Sequence, residues 1–341
     1  MKEYGSDFHF IRTLNQEGSS IRDYLPNASF YASGRQPLID LYQQNGWKSL
    51  WVPEYFCYEV LASIERAGIN LKFYPDNPLA DDRDILRAMH FEKGDALLRI
   101  NYFGLRSVRS NQTIPVPVIE DHTHDLIGGW ATNSDADWCI ASLRKTLPLA
   151  EGGVLWSPKG LRLQSEPELT QENETLASRR WNAMKQKTLY LDDEITDKNE
   201  FRIEMLSTEE DIEKLNISMI DKDSSDYLNS FEVDHWYRLK KTNRELLKEI
   251  SSQFVFMKIL EPEDSGCNPF SLTVLFDTQA ERDDVRERLI NHCVYPAVLW
   301  IIPESKSHSA RDFSRRMLSI HCDARYNVED IMKLRTIIAG C

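Results

Sequence analysis

Apolar positions in this chain gather into short runs separated by turn residues and by stretches of helical spacing. Largely apolar runs occupy 50–52, 71–74, 96–100, 116–119, 138–141 and 154–156. Between the first of them the period changes. Leu38, Leu41 and Tyr42 follow Pro37 at i, i+3, i+4 and predict a helix to about Gln44, stopped by Gly46. Val60, Ile64 and Ala67 share one face of a helix over 59–67 that Gly68 closes, and 81–90 is helical in pattern. Strands alternating with helices, and strands apolar on both faces, predict an α/β domain with a mostly parallel sheet covered on both sides.

After Trp156 the texture changes. Residues 161–225 are highly charged and are expected to be helical and connecting. A long helix over 234–250 follows, with Trp236, Leu239, Leu246 and Ile250. Strands over 269–276, 298–302 and 318–321 mix with helices over 280–292 and 328–338. The division expected is a large α/β domain over 1–225, with 1–30 unassigned, and a small α+β domain over 226–341.

Composition narrows the function classes. With 41% apolar and 28% charged residues the chain is globular in character. No run of about eighteen apolar residues is present, which argues against a membrane helix, and MKEYGSDFHF lacks the apolar core of a secretory leader. A net charge of −13 opposes a nucleic-acid surface. The cysteines at 57, 139, 267, 293, 322 and 341 form no CxxC pair, so a reducing cytoplasm is expected.

Candidate chemistry concentrates between Val118 and Leu155. The run at 116–119 ends on Glu120 and Asp121; the run at 138–141 leads into Ser142 and Lys145; Glu151, Gly152 and Gly153 precede the next. Polar residues just past carboxyl strand ends line the ligand crevice of such sheets. A lysine able to form a Schiff base, a carboxylate able to keep a pyridine nitrogen protonated, and donors for a phosphate together suit pyridoxal phosphate. Lys145, Asp121, and the Ser33-Gly34-Arg35 turn with Ser142 supply them. That turn opens a helix, where free N–H groups and a guanidinium favour an anion.

These residues resemble the fold type I pyridoxal-phosphate enzymes, and most of all the DegT/DnrJ/EryC1/StrS sugar aminotransferases. The likeness rests on Glu120-Asp121 with His124 three residues after the aspartate, on Lys145 with Glu151-Gly152-Gly153 beginning six residues later, and on Ser33-Gly34-Arg35 where the family has Ser-Gly-Thr. Asn101-Tyr102-Phe103-Gly104 resembles its His-x-x-Gly turn, and Arg325-Tyr326 its late Arg-Tyr pair. The resemblance implies that Lys145 carries the cofactor and moves the proton, Asp121 pairs with the ring nitrogen, His124 touches the ring hydroxyl or face, and Gly34, Arg35 and Ser142 bind phosphate. It further implies a homodimer and a reaction passing an amino group from an amino-acid donor to a keto sugar or similar carbonyl. Three departures stand out. Cys57 occupies the place of the family's stacking aromatic, with Phe56 or Tyr58 as substitutes. Ser142 lies three residues before the lysine where the family's serine lies five before, and the family's Gly-x-Asn-x-Arg loop is not visible. A non-catalytic ligand-binding relative of the same fold is the alternative.

Two other patterns are present in the same stretch. His122-x-His124 beside the carboxylates could hold a metal for hydrolysis, but no further ligand set follows, and His122 is expected as a solvent-facing loop residue. Ser142-x-x-Lys145 also fits a serine acyl-transferase motif, but there it opens a helix, whereas here an apolar run precedes it and Pro148 follows.

Overall fold

The computed structural model describes residues 2–12, 18–250 and 257–340; Cys341 lies outside them. Seven strands build the central sheet: β1 (Ser29–Tyr31), β2 (Ser49–Pro53), β3 (Leu71–Tyr74), β4 (Asp95–Ile100), β5 (Val118–Asp121), β6 (Trp138–Ser142) and β7 (Gly153–Trp156). Their order is β1-β7-β6-β5-β4-β2-β3. The β6-β5-β4-β2-β3 stretch is parallel throughout, while β7 runs antiparallel to both β6 and β1. Two reversals give β1 the direction of β6, so the turn after β1 emerges at the edge where β5 and β6 end. The expected mostly parallel α/β sheet is therefore present, with an antiparallel edge that the apolar runs did not announce.

Alternation explains why these strands are apolar throughout. Val118, Cys139, Ala141 and Val154 pack on one face, and Ile119, Ile140 and Leu155 on the other. Leu38 and Leu41 of the Gln36–Asn45 helix and Leu61 and Ile64 of the Tyr58–Arg66 helix cover the second face. Trp181 and Met184 of the Gln171–Leu191 helix, with Trp236 and Tyr237 of the Val233–Lys248 helix, cover the first. Gly46 takes a left-handed φ of 60° at the end of Gln36–Asn45, the conformation that makes glycine the expected stop there. The charged 161–225 region is largely helical, as its composition suggested: Gln171–Leu191, Asn199–Ile212 and the start of Lys222–Ser230 lie within it.

A second sheet has the order β10-β9-β8, formed by β8 (Met257–Ile259), β9 (Leu272–Phe276) and β10 (Met317–Ile320). Its core joins Leu272, Val274, Leu318 and Ile320 to Leu289, Ile331 and Leu334 of the flanking helices. Tyr4 packs into the same core, and its backbone bridges Val294. The segment expected as a strand over 298–302 is not one. Tyr55 and Ser314 side chains donate to the carbonyls of Leu299 and Trp300, and the Leu299 N–H points at Met317 Sδ at 3.1 Å. With its polar backbone groups satisfied this way, the segment crosses the large sheet's carboxyl edge as an extended loop.

Candidate active site

A cavity opens where β1, β5 and β6 end, bounded on its other side by the 299–300 loop. Asp121 is the last residue of β5. Its Oδ1 accepts the Thr123 N–H at 2.8 Å, and burial pushes its carboxyl above the ordinary value. Thr123 Oγ1 in turn accepts the Ser142 N–H at 2.9 Å, tying the two strand ends together.

His124 lies three residues beyond the end of β5, buried between aromatic rings. Phe103 and Trp300 stack near it at centroid distances of 5.5 and 5.8 Å, and Phe270 at 4.8 Å. Its Nδ1 accepts the Phe103 N–H at 3.1 Å, and burial lowers its pKa to about 3. The ring is therefore neutral with its proton on Nε2. Phe103 reaches this position through a left-handed backbone (φ 55°) in the turn before Gly104, a strain of the kind kept at functional sites.

Lys145 ends the short 3-10 turn Leu143–Lys145 that follows β6. Its side chain is exposed to the cavity, with protein packed densely around it. Among the described residues nothing bonds to its Nζ. Burial first, and the neighbouring Arg144 guanidinium second, lower its pKa. Arg144 itself is clamped by Glu209 of the Asn199–Ile212 helix, with Nη1 at 2.7 Å from the carboxylate. Burial pushes the Glu209 carboxyl up, but Arg144 and Arg180 together outweigh it and hold it down at about 2.

Ser33, Gly34 and Arg35 form the floor opposite. A Cβ on Gly34 would stand 2.6 Å from Ser142 Cβ, so only glycine lets this turn approach β6 so closely. Ser33 Oγ and Arg35 Nη1 are buried without a hydrogen-bond partner. Arg35's nearest counter-charge, Glu213, is 3.7 Å away. Buried orphan donors at a helix N-terminus fit an anion.

No family model matches the sequence, and no curated protein matches it in sequence. Solved structures do match in fold. Helicobacter pylori PseC, an aminotransferase involved in the biosynthesis of pseudoaminic acid, gives a TM-score of 0.66 at 14% identity, over 99% of this chain and 99% of that one. A DegT DnrJ EryC1 StrS aminotransferase from Brucella abortus gives 0.58 at 12% identity, over 94% and 87%. A Streptococcus pneumoniae protein solved in a PLP-form gives 0.64 at 12% identity, over 99% and 98%, and its PMP-form also matches. This chain has an aminotransferase fold.

Against that fold the sequence expectations divide clearly. Ser33, Gly34, Arg35, Phe56, Asp121, His124, Ser142 and Lys145 all line one cavity, and Cys57 joins them. Tyr58 does not. It begins the Tyr58–Arg66 helix, its ring lies parallel to Phe73 at 6.5 Å, and its hydroxyl donates to the Glu54 carbonyl at 2.9 Å. The metal pair also separates. His122 is fully buried rather than solvent-facing, because its Nε2 meets Glu120 at 3.1 Å and its ring packs on Trp130 and Trp156. The Glu120 carboxylate there also takes donors from Asn111 at 2.7 Å and Ser134 at 2.6 Å. His124 faces the cavity instead. Sequence reasoning missed Thr123, Trp300 and Phe270, and it missed Glu209, which reaches Arg144 from a segment with no local motif.

Glu151, the start of the Glu-Gly-Gly match, is buried behind the site rather than in it. Its Oε1 accepts the Asp221 N–H at 2.6 Å, and burial, with Asp221 beside it, pushes its pKa up to about 10. The folded state therefore binds this proton where the unfolded chain, with a carboxyl near ~4.3, does not. Stability contributed here is full below that value and falls as pH rises through the window up to about 10. Glu151→Gln keeps the accepting oxygen without the charge. It is expected to raise the melting temperature by about 2–4 °C at pH 8 and hardly at all at pH 4; equal gains at both would show that Glu151 is ionised in the fold.

Proposed function

We propose that this protein is a pyridoxal-phosphate-dependent aminotransferase, taking an amino group from an amino-acid donor and giving it to a keto sugar or similar carbonyl compound. The observation that carries this reading is the meeting of Lys145 and Asp121 in one cavity with the orphaned Ser33 and Arg35 donors. Those residues fit the cofactor: a lysine without a partner among the described residues, a buried carboxylate without a cation, and an anion cradle that a Cβ at Gly34 would fill. Bound there, pyridoxal phosphate supplies an electron sink for the carbon that carries the amino group.

The chain's own residues then have distinct tasks. Asp121 keeps the proton on the cofactor's ring nitrogen. Burial raises its pKa only while it lacks a cation, and a paired charge makes that burial tolerable. His124 offers its Nε2–H to the ring hydroxyl, since Nδ1 is already engaged. Ser33, Gly34, Arg35 and Ser142, which line the cavity together, bind phosphate. Lys145 holds the cofactor and carries the proton to and from the substrate carbon. Its lowered pKa keeps more of it as the free amine at neutral pH. Phe56 and Cys57 line the same wall, and Phe56 is the aromatic available to cover the ring face.

A homodimer accompanies this reading. Ile203 and Leu206, 66% and 59% exposed, lie on the helix that carries Glu209 to the site, and an apolar outward face there suits a second copy. A cytoplasmic location completes it.

The test is the visible spectrum of the purified protein with added pyridoxal phosphate, followed by borohydride reduction and peptide mapping. A yellow band and a label on Lys145 are expected. A colourless, unlabelled protein would overturn the assignment in favour of a non-catalytic relative of the fold, which Cys57 at the stacking position favours.

A further inference from the structure

A second cavity lies behind the first and meets it at Arg144, Lys145, Phe270 and Leu299. Gly5–Phe8 of the N-terminal segment form one wall, and Arg180 and Arg325 another. The segment is pinned by its backbone. Lys187 Nζ donates to the Asp7 carbonyl at 2.7 Å, Arg325 Nη1 to the Ser6 carbonyl at 2.8 Å, and the Gly5 N–H to Tyr326 Oη at 2.7 Å. This anchoring delivers the Asp7 side chain into a strongly basic lining, where its charge acts on Arg144, Lys145, Arg180 and Arg325 together. Yet among the described residues its carboxylate has no hydrogen bond or ion pair, and the residue is exposed.

The guanidinium groups are not equally occupied. Arg325 is closed by Asp323 at 2.8 Å. Arg144 and Arg180 must share the one carboxylate of Glu209, at 2.7 and 3.1 Å. Arg180 engages only through Nη1, which also meets Thr208 Oγ1 at 3.2 Å; its Nε and Nη2 have no partner among the described residues. A planar guanidinium with one free edge, in a chamber that opens on a lysine, is suited to a carboxylate.

We propose that this chamber binds the carboxylate of the amino donor, with Arg180 as its ligand and Asp7 as a built-in counter-charge that the carboxylate displaces. The proposal rests on the aminotransferase reading for the identity of the ligand as an amino-acid donor. The chamber favours an acidic donor over a neutral or basic one, and Asp7 sets how strongly it does so.

Glutarate, an unreactive dicarboxylate, is the probe, titrated calorimetrically into the cofactor-loaded and the cofactor-free protein. Wild type is expected to bind it. Arg180→Gln is expected to weaken binding by about 10-fold or more, from the loss of a charge-assisted contact. Asp7→Asn is expected to tighten it by about 3-fold or more, because a competing negative charge is gone. No binding by wild type, or Asp7→Asn binding no more tightly than wild type, would overturn the proposal. Asp7 is exposed, so its variant stays informative even if Arg180→Gln fails to fold, which a thermal melt reports. A visible cofactor band without the glutarate pattern defeats this inference alone. The glutarate pattern with no cofactor band defeats the aminotransferase reading and leaves an anion site.

Discussion

Lys145→Arg is expected to abolish transamination, with a loss on the order of 10⁴-fold or more, while the protein melts within a few degrees of wild type. The size follows from two losses at one atom. Guanidinium cannot take the place of an amine in the covalent link to the cofactor, and it does not release a proton near neutral pH. The fold should tolerate the change because Lys145 Nζ has no partner among the described residues, so no hydrogen bond or ion pair known there is broken. Alanine at the same position should behave alike. The measurement is single-turnover and steady-state activity beside a thermal melt. Activity within tenfold of wild type in either variant would remove Lys145 from the chemistry and with it the proposed function.

Asp121→Asn should come second in effect. The side chain keeps its shape and can still accept the Thr123 N–H, which is 2.8 Å from the present carboxylate. What it loses is the negative charge that, in the proposed function, pairs with the cofactor's ring nitrogen. Breaking a buried charge pair by removing one partner costs roughly 3–5 kcal/mol, and each ~1.4 kcal/mol is tenfold. A fall in kcat of about 10²-fold to several 10³-fold is therefore expected, with a weaker affinity for pyridoxal phosphate and a visible band that responds differently to pH. Without cofactor the sign reverses. Burial pushes the Asp121 carboxyl up, which costs stability as pH rises above its unfolded value, so the cofactor-free Asn variant should be no less stable than wild type at pH 8. Unchanged activity with intact cofactor binding would make Asp121 a structural residue.

Much of the site was legible because its residues sit at places that local chain chemistry marks. Asp121, Ser142 and Lys145 each follow an apolar run, and the side chains after a buried strand emerge at its carboxyl end whatever the rest of the chain does. Gly34 precedes a helix whose start Pro37 announced, and its lack of a Cβ mattered as soon as the turn met Ser142. Tyr58 and His122 went wrong for one shared reason. Both lie where a regular repeat breaks: two residues swap the face at a helix start, and the turn that follows Asp121 ends the alternation that would keep His122 and His124 on one face. Phe56 and His124 point in; Tyr58 and His122 pack elsewhere.

Sequence by itself determined the α/β class, the parallel strands, the helices with their glycine stops, and the grouping of a lysine, an aspartate and the Ser33-Gly34-Arg35 turn. These are set by periodicity and by backbone freedom, which act over a few residues. Tertiary structure alone decided the antiparallel β7 that gives β1 the direction of β6, the loop at 298–302 that takes its hydrogen bonds from Tyr55 and Ser314 instead of a strand partner, and the pairing of Arg144 with Glu209 across the cavity. It also decided that Asp7, near the start of the chain, lines one cavity with Lys145. Those arrangements join residues far apart in the chain, and burial and charge, which set their energies, have no counterpart in any single stretch of sequence.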